Sequence, residues 1–125
     1  MIEKNRALVT VDPARNLVRF SFAGDIGAKE IKLYEKSIEE ALATVPRGFF
    51  LLADLTDLNS MDLLCVPYIS RTMDRFRRHG VARIVRIIPD HRKDIGFSIL
   101  SLFHYPRGLL IVTCDTRAEA EQALK

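Results

Sequence analysis

Apolar and polar residues change their spacing along this chain, and the changes separate strands from helices. Val18, Phe20 and Phe22 alternate with Arg19 and Ser21, so residues 17–22 read as a strand with one face covered and one wet. Residues 7–11 read as a strand before it, and Asp12, Pro13 and Asn16 supply the turn that joins the two as a hairpin. Gly24 and Gly27 are expected to break the second strand. From 28 to 45 the step becomes three and four. Ile31, Tyr34, Ile38, Leu42 and Val45 form one apolar stripe, and Lys29, Lys32, Glu35, Lys36, Glu39 and Glu40 fill the opposite face of a helix.

Pro46-Arg47-Gly48 end that helix, and the continuous apolar run 49–53 reads as a central strand covered on both sides. A second helix is expected over 67–79. Pro67 sits in its first turn, Ile69, Met73 and Phe76 face inward, and Gly80 supplies the stop. Residues 82–88 form the next strand. A helix over 94–105 is apolar nearly all round, 109–113 is the last strand, and Thr116-Arg117-Ala118-Glu119 is a capping box opening a final helix. The order β-β-α-β-α-β-α-β-α predicts one α/β domain over residues 1–125. Its sheet is mixed and mainly parallel, with the N-terminal hairpin at one edge.

Composition adds a few limits. The chain has 125 residues, 48% of them hydrophobic and 28% charged, which excludes a disordered or fibrous protein. No apolar run approaches the roughly 18–20 residues of a membrane span, and no secretory signal is visible, so a cytoplasmic protein is expected. Two cysteines, Cys65 and Cys114, are too few for a disulfide framework and are read as reduced; for Cys65 a small buried hydrophobe is favoured over a reactive thiolate at a helix start. The net charge of +3 is unevenly placed. Residues 71–93 hold eight basic and two acidic side chains, which leaves the remainder mildly acidic.

Three groups of residues carry candidate chemistry. Asp54, Asp57 and Asp62 follow a central strand, where ligands of open α/β sheets bind. Three carboxylates can hold Mg²⁺ or move protons, or they can cap loop and helix-start amides, the reading favoured here. Arg71, Arg75 and Arg78 share a helix face and suit an acidic protein partner or an anionic ligand, while Asp74 can pair with Arg77 or Arg78. Arg83 and Arg86 point to opposite sides of their strand, so the basic segment cannot form one patch. Without a glycine-rich phosphate loop or interleaved aromatics, nucleic acid is not an expected partner. His79, His91 and His104 have no metal-ligand spacing. The apolar helix, with Ile95, Ile99, Leu102 and Phe103, needs a cover, which the neighbouring helices would supply, or equally a second copy of the chain, another partner or an apolar ligand.

The stretch Ala53-Asp54-Leu55 … Met61-Asp62-Leu63-Leu64-Cys65, the helix end Arg77-Arg78-His79-Gly80, the strand end Ile87-Ile88-Pro89 and the exit Cys114-Asp115-Thr116 together resemble the STAS domain. That is the family of SpoIIAA-type anti-sigma-factor antagonists. The resemblance implies a SpoIIAA-like fold and a protein-binding surface at the turn that opens the second helix, with Asp57, Asp62, Leu63 and Cys65. Where the family has its phosphorylatable serine this chain has Leu63, and a leucine takes no phosphoryl group. The expectation is therefore a non-enzymatic regulatory or protein-binding module, homodimeric, with no cofactor and no serine switch at that position. The alternative is a small-ligand or lipid-binding SpoIIAA-like protein, whose apolar helix covers a pocket lined by Asp54, Asp57, Leu63 and Phe103.

Overall fold

The computed structural model describes residues 5–88 and 110–125. Strand β1 (Arg6–Asp12) and strand β2 (Leu17–Ile26) pair antiparallel, with Arg6 opposite Ala23 and Asp12 opposite Leu17. A 3-10 turn over Pro13–Arg15 joins them, and Asn16 takes the left-handed backbone at φ 48°. Helix α1 (Ala28–Leu42) follows, then β3 (Phe50–Asp54), β4 (Leu58–Met61), helix α2 (Val66–Arg78), β5 (Arg83–Ile87), β6 (Leu110–Cys114) and helix α3 (Arg117–Ala123). The main sheet runs β1-β2-β3-β5-β6, with every pair after the hairpin parallel. The mixed, mainly parallel α/β architecture with an N-terminal edge hairpin is the one expected. The apolar 94–105 helix, with Ile95, Ile99, Leu102 and Phe103, lies outside the described residues, as do Arg92, Lys93, His91 and His104.

The strand pleat splits the interior in two. Val18, Phe20, Phe22, Leu51, Ala53 and Ile84 pack under α1 and α2, while Leu17, Leu52, Val85 and Ile87 pack against Ala120 of α3. On the α1/α2 side the aromatic rings interlock. Tyr34 meets Phe20 edge-on at 5.1 Å and Phe22 at 5.0 Å, and Phe20 stacks with Phe76 at 6.3 Å. The buried Tyr34 hydroxyl donates to Thr72 Oγ1 at 3.0 Å, and Thr72 Oγ1 donates onward to the Ile69 carbonyl at 2.9 Å. This relay satisfies the only polar atom that the α1 stripe sends inward.

Three boundaries differ from expectation, each for a local reason. Helix α1 ends at Leu42 rather than Val45, because the Thr44 hydroxyl donates to the Ala41 carbonyl at 2.8 Å and Pro46 has no amide to continue the ladder. The Thr116 hydroxyl does accept from Glu119 N, but the Glu119 carboxylate accepts from Asp115 N instead of closing the box on Thr116. Strand β2 is not broken by its glycines. Gly24, at φ 77°, makes a bulge that turns the strand edge from β3 to β4, and the strand continues to Ile26. Strand β4 itself was not anticipated.

Tyr34→Phe removes only the hydroxyl and should lower unfolding free energy by about 1 kcal/mol. Tyr34→Ala also empties the ring site and should cost about 3–5 kcal/mol. Urea denaturation followed by circular dichroism measures both, and equal losses would contradict this packing.

Candidate functional site

The turn that opens α2 is built from β2 outward. Past Gly24, β2 pairs in parallel with β4, setting Asp25 beside Ser60 and Ile26 beside Met61. The Asp25 carboxylate accepts from Asn59 Nδ2 and Ser60 Oγ, each at 2.7 Å. Hydrogen bonds from Ser60 and then Asn59 hold that carboxyl below its usual pKa. The Asp62 amide donates to the Ile26 carbonyl at 2.9 Å, so the end of β2 also fixes the start of the turn.

Asp62 then caps a 3-10 turn over Leu63–Cys65, its side chain accepting from Leu64 N at 2.9 Å. Cys65 is fully buried, with Sγ 3.5 Å from the Ile26 carbonyl, and burial pushes its thiol pKa up. It is a packing residue and not a thiolate nucleophile. With one side of the turn clipped by Asp62 and the other plugged by Cys65, the two residues between them point out. Leu63 is 85% exposed and Leu64 67%, and Val66 beside them is also exposed.

The arginines of α2 have partners. Arg71 forms a fork on Glu35 of α1, Nε donating at 2.9 Å and Nη2 at 3.2 Å, with its guanidinium 4.5 Å above the Tyr68 ring. Arg75 reaches Glu39 of α1 at 2.8 Å, and Asp74 takes both Arg77 at 2.6 Å and Arg78 at 2.9 Å. Arg71 and Arg75 therefore tie α2 to the wet face of α1, while Arg78 folds back on its own helix. Arg75 and Arg78 also border a shallow open cleft with Glu39, Leu42 and His79. His79 ends α2 with Nε2 2.7 Å from the Val45 carbonyl. Of the two arginines in β5, Arg83 donates to the Ala123 carbonyl at 2.9 Å, and the buried Arg86 donates to Thr113 Oγ1 at 2.8 Å.

The three aspartates do not converge. Asp62 belongs to the turn. Asp54, 1% exposed at the end of β3, accepts from Thr56 N at 3.0 Å and Thr56 Oγ1 at 2.5 Å. Its other oxygen takes Arg117 Nε at 2.9 Å and Arg19 Nη2 at 3.3 Å. Asp57, largely exposed, takes Arg117 Nη2 at 3.3 Å. Burial alone would raise the Asp54 pKa, but the hydrogen bonds from Thr56 and Arg117 outweigh it and hold the carboxyl below its usual range. Among the described residues no three His, Cys, Asp or Glu side chains are grouped to hold a metal ion. Asp54 and Asp57 line a cleft of about 240 Å³ with Arg19 and Arg117, and Leu63 is not part of it. Asp54 does cap a loop amide, that of Thr56, as expected, but Arg19 and Arg117 were not anticipated beside it. The wet position of Arg19 in the β2 alternation was the only hint.

No protein-family model matches the sequence, and no curated protein does. Solved structures do match. An uncharacterized DUF3478-family protein with a SpoIIAA-like fold from Shewanella loihica aligns at a TM-score of 0.76 and 12% identity, over 100% of this chain and 98% of that one. Phosphorylated SpoIIAA, the Bacillus cell fate determinant, aligns at 0.64 and 17% identity, over 95% and 99%. An anti-sigma factor antagonist from Mycobacterium paratuberculosis aligns at 0.62 and 17% identity, over 96% and 93%. The chain has the SpoIIAA-like fold of the STAS domain. None of the described helices is long and apolar enough to cross a membrane.

The lowered Asp54 pKa has a defined sign. Its stabilisation is complete above the unfolded value of about 3.9 and is lost as pH falls through the lower folded value. Asp54→Asn should therefore cost about 2 kcal/mol at neutral pH and flatten the acid limb of the stability profile. Chemical denaturation between pH 7 and pH 2 reads both effects. An unaltered acid limb would remove Asp54 as its source.

Proposed function

We propose that this domain is a non-enzymatic, cytoplasmic protein-binding module, with its recognition surface at the start of α2. The observation that carries the reading is the outward display of Leu63 and Leu64 on a turn clipped by Asp62 and Cys65. Fully burying one leucine is worth about 1.5–3 kcal/mol, whereas an exposed ion pair is worth about 0–1 kcal/mol. On those magnitudes the leucines drive association. Arg71, Arg75 and Arg78, already paired with Glu35, Glu39 and Asp74, form a polar border that orients the partner. Cys65 and Asp62 act from beneath by holding the turn, and Asp57 lies on the loop before β4.

Support also comes from the structural neighbours, two of which are named as an anti-sigma factor antagonist and as SpoIIAA itself. Leu63 has no hydroxyl, so a surface centred there is not switched by phosphorylation of that residue. Two free, buried thiols suit a reducing compartment. The homodimer reading rests on Ile95, Ile99, Leu102 and Phe103, outside the described residues. Sedimentation velocity at micromolar concentration tests it, and a monomer removes it.

Capture of cellular proteins through a photo-crosslinker placed at Tyr68 should yield a defined partner. Leu63→Asp should reduce that capture at least about tenfold with an unchanged melting temperature, and Arg75→Glu should reduce it less. Equal capture by wild type and Leu63→Asp would refute the placement of this surface.

A further inference from the structure

We propose a second site, a cleft for a small, multiply charged oxyanion between the outer face of the β1–β2 hairpin and the start of α3. It does not rest on the protein-binding reading. Val18, Phe20 and Phe22 point into the α1/α2 core, so Arg19 and Ser21 between them point to the other face. In the antiparallel register Thr10 stands opposite Arg19 and Leu8 opposite Ser21, so the hairpin sends Arg6, Thr10, Arg19 and Ser21 into one cleft of about 240 Å³. Arg117 lines the cleft from α3, together with Asp54 and Asp57.

The charges are arranged to receive an anion. Three guanidiniums face two carboxylates, a local surplus of one positive charge. Asp54 takes only Nη2 of Arg19 and Nε of Arg117, and Asp57 takes only Nη2 of Arg117. Each fork thus keeps further N–H donors while its plane is held in place. Arg6 forms no ion pair among the described residues, and Thr10 and Ser21 add hydroxyl donors. Buried Asp54 is the positioning element. A clasp joining α3 to the sheet needs Arg117 alone, whereas Arg19, Arg6 and the two hydroxyls make a donor set that the paired oxygens of a carboxylate or phosphate match. The volume lies below the roughly 300–1,000 Å³ of drug-sized pockets, which favours a ligand no larger than a diphosphate or a small dicarboxylate.

Amide NMR titrations of the intact chain with pyrophosphate, and separately with malonate, at constant ionic strength test the proposal. Saturable shifts at Arg19, Ser21, Thr56 and Arg117 are expected. Binding should be weaker by about tenfold in both Arg19→Gln and Arg6→Gln and unchanged in Leu63→Asp. Tighter pyrophosphate binding identifies a phosphoryl ligand, and tighter malonate binding a carboxylate. Arg6 is an exposed edge-strand residue, so its variant keeps the test available if Arg19→Gln fails to fold. Shifts that do not saturate, or equal affinity in wild type and Arg6→Gln, would overturn the site.

Discussion

A strand has two edges, and β2 must serve three partners with them. One edge is filled by β1 from Leu17 to Ala23. The other pairs with β3 from Leu17 to Ser21, then with β4 from Gly24 to Ile26. The change of partner falls within a few positions, and Gly24 makes it at φ 77°, a backbone that residues with a side chain rarely adopt. Everything at the carboxyl end of the sheet follows from that bulge. It recruits β4, whose pairing brings Asp62 to the Ile26 carbonyl, and Asp62 sets the phase of α2. A side chain at Gly24 would strain the point from which the candidate surface is hung.

Electrostatics does a parallel job on the other face. Asp54 is too buried to remain ionised without partners, and its partners come from β2, from α3 and from the loop after β3. Because both arginines keep much of their surface in water, the cluster avoids most of the desolvation cost of a fully buried ion pair. The same exposure leaves guanidinium donors facing the cleft. Structural fastening and the proposed anion site would thus draw on different nitrogens of the same side chains.

What the chain makes legible follows from how local each cause is. The alternation of β2, the stripe of α1 and the stop at Gly80 are encoded within a few residues, and each was readable. The inward place of Cys65 and the capping role of Asp62 were foreseeable for the same reason. Strand β4 was not. Leu58-Asn59-Ser60-Met61 buries only Leu58, and the strand exists because a bulge elsewhere offers it an edge. The arginine partners of Asp54 lie 35 and 63 positions away, and no spacing rule reaches that far. The arginine stripe of α2 was visible, but its neutralisation by Glu35 and Glu39 depends on how α1 packs beside it. Local sequence shows a helix's wet face, and tertiary packing decides what that face meets.

The clipped turn at Asp62 has a kinetic consequence. Two leucines displayed on a mobile loop would surrender backbone freedom on docking, about 1–2 kcal/mol for each residue ordered. Here the hydrogen bonds from Leu64 N to the Asp62 carboxylate and from the Asp62 amide to the Ile26 carbonyl have already ordered the turn in the free chain. A partner of the proposed surface would then meet it without a folding step, and association would proceed near the ordinary rate for two preformed surfaces. Differences among partners that use this surface would be written mainly in residence time, through how completely each one encloses the two side chains.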